Sequence, residues 1–373
     1  MTKVLILGGL AGQVDALESL RRRGVETHMC GHEKKGPGVD EADHFHIADI
    51  TSVDAVKRVA IEIGADMVYS VGSDIAMPTV VRVSEDLGLP HFHGVELTDI
   101  LRQKQEIRAR LAAPDLSPVR FLTVEREDPS PVWNVFPAIV KPVDSQGQRG
   151  ITLIQAAAEI DDAIAIAKEN SVSGPVIIEE FLEGPEISAH VVVVDSEIKF
   201  FLPSDRFVWN GPLVGMPAAH SVPLREETAV WADEFRELAE SIVTTLGVKE
   251  GPLYFQAICT TAGPRIIEIA SRLDGCHLWR LLRFSTGFDL MDAVLGRLLG
   301  EPWPRFPSES EAIPMVLDFI LDSPDTIVTP QYIDRVVRDD AIFSEVQTAE
   351  NEKPRWMNDI VARIGYQIYE GGR

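Results

Sequence analysis

Apolar runs and amphipathic stretches alternate over the first 95 residues of the chain. Residues 3–7 form a continuous apolar run, and a glycine-rich turn separates it from a helical pattern that continues through Arg23. Further strands are predicted at 25–30, 47–50, 66–71 and 89–92, with helices at 53–63 and 76–87. This alternation predicts a parallel α/β domain of Rossmann-like architecture.

The turn after the first predicted strand reads GGLAG at residues 8–12. Its spacing departs from the GxGxxG pattern of dinucleotide sites, and residues 30–32 (CGH) stand where such sites place an acid. We therefore expect a Rossmann-like domain without a nucleotide at this turn, with dinucleotide binding as the alternative.

A second pattern, around which the site is organised, lies at residues 253–272 (LYFQAICTTAGPRIIEIASR). Two apolar runs of strand length flank a Gly-Pro pair, which predicts a β-hairpin with a loop of about five residues. Folding the segment about Ala262 places Gln256 opposite Glu268. The opposite, buried face is expected to carry Phe255, Ile267 and Ile269.

The polar face of this hairpin combines Gln256, Glu268 and Arg272. An amide oxygen beside a carboxylate suits a hard cation such as Mg2+, which proteins hold with few ligands alongside substrate phosphates. Arg272 would then grip a carboxylate or phosphate through two parallel hydrogen bonds. The alternative is a cross-strand Gln–Glu hydrogen bond beside a solvated arginine.

Two segments before the hairpin carry candidate phosphate ligands. The pattern of residues 98–111 predicts a basic helix that contains Lys104. Lys104 could bind a phosphate, or it could belong to a solvated face of the helix. Residues 136–150 predict a strand that ends at Lys141, followed by a loop with Ser145 and Gly147. Small residues let backbone N–H groups approach phosphates, although the loop lacks the Walker A sequence and could be an exposed hairpin.

An apolar strand at residues 175–182 (PVIIEEFL) leads into a Gly-Pro turn that carries two carboxylates, Glu183 and Glu186. A linker between subdomains is a natural place for adenine, which backbone N–H and C=O groups would meet. Glu186, just after this turn, is placed to accept ribose hydroxyl protons.

Composition and charge narrow the classes of function. The chain has 373 residues, 45% of them hydrophobic, and a net charge of −23. This acidic excess disfavours nucleic acid and anionic membrane as partners. The three cysteines lack metal-site spacing, and the first apolar run is too short for a signal peptide or a membrane span, so we expect a cytoplasmic protein.

The order of these features resembles the ATP-grasp superfamily over roughly residues 1–300, and especially its carboxylate–amine ligase branch. The resemblance implies that Lys104 and Lys141 bind ATP phosphates, together with Ser145 and Gly147 of the flexible loop. It also implies that Glu179 meets the adenine amino group, that the backbone of residues 180–182 (Glu180, Phe181 and Leu182) meets the adenine edge, and that Glu186 binds ribose.

In the same resemblance, Gln256 and Glu268 match the metal ligands, and Arg272 corresponds to the arginine that steadies an acyl phosphate. Lys141 and Arg272 are thus the expected catalytic residues. Many members read E-x-N-x-R in this motif, whereas this chain has Ala270 in place of the asparagine. The number of metal ions therefore stays open. The ATPase component of phosphoribosylaminoimidazole carboxylation has a similar alanine.

The expected fold class is α/β and α+β. It comprises an N-terminal Rossmann-like domain (1–95), a linking basic helix (96–115) and a two-subdomain ATP-grasp fold. The latter has a small lid subdomain (116–182) and a large subdomain with the metal site (183–303). A small C-terminal α+β appendage (304–373) completes the chain.

The resemblance implies a ligase that uses ATP and Mg2+, or Mn2+, to join a carboxylate to an amine through an acyl phosphate. Arg272, Asp274 and His277 are the candidate substrate contacts, and small molecules and a second copy of the chain are the expected partners. The alternatives are a bicarbonate-activating carboxylase component and a nucleotide-binding protein without turnover.

Overall fold

Three β-sheets with helices packed on them organise this computed structural model, which describes residues 1–128, 131–144, 149–210, 215–354 and 360–373. The N-terminal sheet is parallel, with strand order β3-β2-β1-β4. It is built from β1 (Lys3–Leu7), α1 (Ala11–Arg22), β2 (Glu26–Gly31), α2 (Pro37–Glu41), β3 (His44–Ile47), α3 (Val53–Ile63), β4 (Met67–Tyr69) and α4 (Met77–Leu87). The predicted parallel α/β domain is thus present.

Two details of this sheet differ from the prediction. The third strand covers His44–Ile47 rather than 47–50, and residues 89–92 do not form a strand. Gly88 ends α4 in the left-handed conformation, at φ +67°. The chain then turns towards the strand that begins at Gly251, where a Cβ would lie 2.4 Å from Phe92. Phe92 is therefore used for packing between sheets.

The glycine turn after β1 packs at Gly9 against the segment around Gly36 and Gly38. The amide of Gly38 donates to the carbonyl of Gly9 at 3.1 Å, and a Cβ on Gly36 would lie only 2.3 Å from that oxygen. Gly36 has φ +114°, so the glycine is required by both space and conformation. The expectation of a turn without a nucleotide stays a prediction.

Two helices, rather than one, link the first sheet to the rest: α5 (Val95–Arg102) and α6 (Lys104–Ala112). The single predicted helix was wrong because Gln103 is extended, with φ −98° and ψ 109°. The amide of Lys104 donates to the carbonyl of Val143 at 3.2 Å, outside the preceding helical turn. Lys104 consequently begins α6.

The small sheet consists of four antiparallel strands, β5 (Phe121–Val124), β6 (Ala138–Pro142), β7 (Thr152–Ile154) and β8 (Val176–Glu180), in the order β5-β8-β6-β7. A short 3-10 turn (Ala157–Glu159) and α7 (Ile160–Asn170) lie between β7 and β8. Ile160, Ala163, Ile164 and Ala167 of the helix pack on this sheet and bury its apolar face.

The main sheet has eight antiparallel strands in the order β13-β12-β9-β10-β11-β14-β16-β15. Its strands are β9 (Glu186–Val194), β10 (Glu197–Val208), β11 (Pro217–Val222), β12 (Gly251–Thr260), β13 (Gly263–Ala270), β14 (Met315–Asp322), β15 (Phe343–Val346) and β16 (Ala362–Glu370). The C-terminal α+β segment therefore continues the main sheet, with three strands, and is not spatially separate from it.

Five helices accompany the main sheet in the described residues: α8 (Glu226–Ala229), α9 (Ala232–Thr245), α10 (Leu278–Thr286), α11 (Leu290–Leu298) and α12 (Pro330–Val336), with a 3-10 turn at Glu309–Glu311. Val230 and Trp231 separate α8 from α9. In the described chain, no helix combines the length and apolarity needed to cross a bilayer.

A shared hydrophobic core joins the N-terminal sheet to the main sheet. Leu17 and Leu20 of α1 belong to the same buried cluster as Leu281 of α10 and Leu317 of β14. Within this core the indole N–H of Trp279 donates to Asp15 at 2.6 Å, and Arg280 also pairs with Asp15. The two sheets are therefore held against each other.

Candidate active site

One large cleft of about 880 Å³ opens where all three sheets meet. Its walls include Lys104, Lys141, Gln256, Glu268 and Arg272. Its volume lies within the range of small-molecule sites, about 300–1,000 Å³. Lys141 and Glu268, both predicted to act on ATP, lie in this same cleft.

The hairpin β12–β13 forms with the predicted register, in which Gln256 pairs directly with Glu268. Its loop is shorter than expected, because Thr260 already pairs with Gly263. Both Gln256 and Glu268 are half-buried on the cleft wall, and among the described residues no hydrogen bond or ion pair engages the Glu268 carboxylate. A carboxylate and an amide with their oxygens free in this way fit a Mg2+ ion.

A β-bulge changes the other face of the hairpin. The register shifts after Gln256, so that Ala257 pairs with Ile266 and Ile267 has no partner of its own. Ile266 is fully buried, whereas Ile267 lies on the cleft wall. The prediction that Ile267 is buried in the core was wrong for this reason, while Phe255 and Ile269 are buried as expected.

Arg272 reaches the cleft from the end of the hairpin and is held by the N-terminal sheet. Its Nε donates to Asp74 Oδ1 at 2.7 Å, and its Nη2 donates to Asp74 Oδ2. Nη1 donates to the carbonyl of Leu273 at 3.0 Å. The guanidinium is nearly buried, with 8% of the side chain exposed. Asp74 therefore fixes the plane of the guanidinium beside the candidate metal ligands, Gln256 and Glu268.

Lys141 and Glu179 form a buried ion cluster with Arg108. The ammonium of Lys141 contacts Glu179 Oε2, and Arg108 Nε donates to Glu179 Oε1 at 2.6 Å. Burial alone would raise the pKa of Glu179, but the charges of Arg108 and Lys141 outweigh it and lower the pKa to about 2. Burial lowers the pKa of Lys141. Arg108 also donates to the carbonyl of Ile266, so the cluster joins the small sheet to the main sheet.

Three other residues were expected to bind phosphate: Lys104, Ser145 and Gly147. Lys104 lies on the cleft wall at the start of α6, as its proposed role requires. Ser145 and Gly147 fall outside the described residues, and their assignment to ATP stays a prediction.

Residues 180–182, expected to meet the adenine edge, all line the cleft. The amide of Glu180 donates to the carbonyl of Arg120, and that of Phe181 to the carbonyl of Pro137, both at 3.0 Å. The amide of Leu182 has no partner within the described ranges. Of these three amides, that of Leu182 is thus the one available to a purine nitrogen.

Glu186 lies on the same wall, with its carboxylate paired to Arg206. Only 12% of the Glu186 side chain is exposed, and burial raises the pKa of this carboxyl despite the nearby arginine. Arg206 also donates to the carbonyl of Gly215 at 2.8 Å. Ribose binding by Glu186 stays a prediction, and it requires hydroxyls to share the carboxylate with Arg206.

The other two candidate substrate contacts do not reach the cleft. Asp274 is fully buried, and its carboxylate accepts hydrogen bonds from the amides of Cys276 and Leu278 at the start of α10. His277 is 2% exposed and stacks on Tyr366 at 4.5 Å between ring centroids. Because neither side chain lines the described cleft, we revise their expected role from substrate contact to support of the cleft wall.

Sequence reasoning missed several charged residues of the cleft. Asp74 follows β4, and in parallel sheets ligands bind beyond the carboxyl ends of the strands, so its position was a usable signal. Nothing in the sequence next to Arg108 and Arg206 indicated which carboxylates these arginines contact. Arg363, on β16, lines the cleft, and its guanidinium lies over Phe319 at 5.2 Å. None of the described carboxylates pairs with Arg363.

Comparison with known proteins gives a consistent result. Residues 101–276 match the model of the ATP-grasp domain family. Over 327 residues the chain is 25% identical to phosphoribosylamine–glycine ligase of Methanocaldococcus jannaschii, which covers 80% of this chain and 73% of that protein. Formate-dependent phosphoribosylglycinamide formyltransferases also match, and the chain spans about half of their length, for example 48% at 30% identity in Nitratidesulfovibrio vulgaris.

Solved structures share the fold over the whole chain. The L-amino acid ligase from Bacillus licheniformis superposes with a TM-score of 0.78 at 17% identity, covering 100% of this chain and 94% of that one. The N5-carboxyaminoimidazole synthetase from Staphylococcus aureus, complexed with ADP, gives 0.77 at 14% identity with the same coverage. The matched segment contains Lys104, Lys141, Gln256, Glu268 and Arg272. Residues 101–276 are therefore similar to the ATP-grasp domain family, and the whole chain shares its fold with these solved ligases and synthetases.

Proposed function

We propose that this enzyme uses ATP to activate the carboxylate of an amino acid or other small acid as an acyl phosphate. An amine then displaces phosphate and forms an amide bond. The observation that carries the proposal is the convergence of Lys141, Glu268 and Arg272, which are far apart in sequence, on one cleft. The chain is similar to a phosphoribosylamine–glycine ligase and to an L-amino acid ligase, and the names of both proteins support this class of reaction.

The chemistry needs charge and position more than a nucleophile. A carboxylate lacks a good leaving group, so its oxygen first attacks the γ-phosphorus of ATP and ADP departs. Phosphoryl transfer depends on groups that hold the phosphates in line and offset their negative charge. Lys104 and Lys141 would bind the phosphates of ATP through their positive charges. Arg272 would bind the phosphoryl group that is being transferred.

Gln256 and Glu268 would hold Mg2+, which neutralises charge on the terminal phosphates when it is bound. Asp74 keeps the guanidinium of Arg272 in a fixed orientation, so little reorganisation is needed during transfer. The same cleft walls limit the access of water, which protects the acyl phosphate from hydrolysis. Closure by the loop after Lys141 stays an expectation.

Arg363 supports an anionic acid substrate. Its guanidinium is half-buried at the cleft wall and, among the described residues, makes no ion pair with a carboxylate, although its charge also acts on the buried Asp274. Such a group binds a carboxylate or a phosphate through paired hydrogen bonds. The second candidate function is a bicarbonate-activating carboxylase component. Such a component needs a cation that binds the phosphate of a ribotide, and Arg363 could be that cation. Ala270 favours that candidate as well.

Measurement of phosphate release separates the two candidates. The enzyme is mixed with ATP, Mg2+ and amino acids singly and in pairs, and in a second arm with bicarbonate and aminoimidazole ribotide. ADP formation that depends on amino acids, with an amide product seen by mass spectrometry, supports the ligase. ADP formation only in the second arm supports the carboxylase component. A folded, ATP-binding protein that forms no ADP in either arm would contradict both.

A further inference from the structure

Three histidines and a glutamate form a cluster on the N-terminal sheet, outside the ATP cleft. Glu26 and His28 lie on β2, and His44 and His46 lie on the neighbouring strand β3. His28 pairs with His44 in the parallel register, and alternate residues share a face, so the four side chains project from one face. The cluster lies at the β3 edge, opposite the β4 edge that leads to Asp74.

The geometry is close to that of a three-ligand metal site. Nε2 of His28 is 2.9 Å from Oε1 of Glu26, and Nε2 of His44 is 3.6 Å from the same oxygen. One potential ligand atom from each of the three residues lies within 4.8 Å of the others. Tetrahedral zinc with bonds of about 2.0–2.1 Å separates its ligand atoms by about 3.4 Å. Small side-chain rotations would therefore complete the site.

His46 contacts the ring nitrogen of His28 that does not face Glu26. Nδ1 of His28 lies 3.0 Å from Nε2 of His46. If Nε2 of His28 faces an ion, its proton lies on Nδ1 and is donated to His46. Histidine ligands commonly donate their second ring N–H in this way, which fixes the tautomer and the ring plane.

Ring packing and access favour metal binding over a simple hydrogen-bond chain. The His28 ring centroid lies 4.7 Å from that of His44 and 5.2 Å from that of His46, so the three imidazole rings are gathered at one place. His44, with 54% of its side chain exposed, leaves a route to solvent, and the nearby Lys3 is partly exposed and able to move away.

We propose that Glu26, His28 and His44 bind one divalent transition-metal ion of the Zn2+ type, with water as a fourth ligand and His46 as a positioning residue. Imidazole nitrogen favours Zn2+, Cu2+ or Ni2+ over Mg2+, so this site and the cleft select different ions. Its ligands come from two strands, so the ion would clamp the outer strand β3 to β2. The site is separate from the proposed ligase chemistry.

The test uses untagged, chelator-treated full-length protein in excess Mg2+, with Zn2+ followed by calorimetry and Co2+ by its visible absorption. We expect about one Zn2+ per chain, a tetrahedral Co2+ spectrum and a higher Tm with Zn2+. His44→Gln and Glu26→Gln should each weaken Zn2+ binding at least about 10-fold. His91→Gln, which changes a histidine outside the cluster, is the matched control and should bind as the wild type does.

Two results would overturn the proposal. One is the absence of Zn2+ binding by the folded wild-type protein. The other is binding that survives His44→Gln and Glu26→Gln but is lost in Glu268→Gln, which would place the ion in the cleft. Phosphate release by His44→Gln should equal that of the wild type, so failure of the zinc site and failure of the ligase proposal are distinguishable.

Discussion

Replacing Glu179 by glutamine tests the buried ion cluster that joins the two sheets. The carboxylate contacts Lys141 and Arg108, and 5% of its side chain is exposed. Its pKa falls from 4.5 to about 2 in the folded chain, which corresponds to about 3 kcal/mol of stability at neutral pH. Removal of one partner from a buried ion cluster typically costs about 3–5 kcal/mol. We therefore expect Glu179→Gln to lower the free energy of unfolding by about 3 kcal/mol.

The sign of the pH dependence follows from the same shift. Because the folded pKa lies below the unfolded value, the stabilisation is fully present above about pH 5 and is lost as pH falls towards 2. The difference between wild type and Glu179→Gln should thus be largest at neutral pH and shrink to about 1 kcal/mol near pH 3. The glutamine variant cannot titrate at this position.

Urea denaturation followed by circular dichroism, at several pH values, measures both quantities. Glu197→Gln is the matched control, since 70% of that side chain is exposed and its ion pair with Lys199 is a surface pair. Surface changes of this kind usually alter stability by less than about 0.5 kcal/mol. A Glu179→Gln variant as stable as the control at neutral pH, with no pH-dependent difference, would refute the ion cluster.

Three further predictions concern turnover, each measured as steady-state phosphate release by protein whose fold is checked by circular dichroism. Asp74→Asn should lower kcat about 10-fold with little change in the KM for ATP, because Arg272 loses the charge that orients it; an unchanged kcat would contradict this role. Glu268→Gln should slow turnover at least about 100-fold even in excess Mg2+, and near-normal turnover would remove the metal assignment. Arg363→Ala should raise the KM for the acid substrate about 10-fold or more and leave the KM for ATP unchanged, whereas the exposed Arg335→Ala control should change neither. An equal rise in both KM values would place Arg363 at the nucleotide instead.

The cross-strand pairing of the candidate metal ligands Gln256 and Glu268 was predictable because it is local. Gly263 marks the turn, and the residues that oppose each other follow from counting along the two strands. The same counting placed Ile267 on the wrong face, because a bulge shifts the register by one residue and has no clear signature in the sequence. Local patterns therefore gave the pair Gln256 and Glu268 but not the whole face of the hairpin.

Long-range partners were not predictable in this way. Arg272 and Asp74 are separated by 198 positions, and their pairing depends on how the N-terminal sheet packs against the main sheet. Asp274 and His277 follow Arg272 directly, yet they are turned into the core where α10 begins. Proximity in sequence indicated a shared site, but the path of the backbone after the strand decides which side chains reach the cleft.

The sequence also did not predict that β14, β15 and β16 continue the main sheet. The apolar runs of this segment indicated strands, but strand order depends on tertiary packing. Its consequence is functional, because β16 brings Arg363 to the cleft.

The central claim, that one cleft holds Mg-ATP between Lys141 and the Gln256–Glu268 pair, is tested most directly by binding of a non-hydrolysable ATP analogue. Calorimetry with Mg2+ would compare the wild type with Lys141→Ala, Glu268→Gln and the exposed control Lys199→Ala. The loss of a charge-assisted contact costs about 1.5–3 kcal/mol, so both cleft variants should bind about 10- to 100-fold more weakly than the wild type and the control. Unchanged affinity in folded Lys141→Ala or Glu268→Gln would contradict the claim.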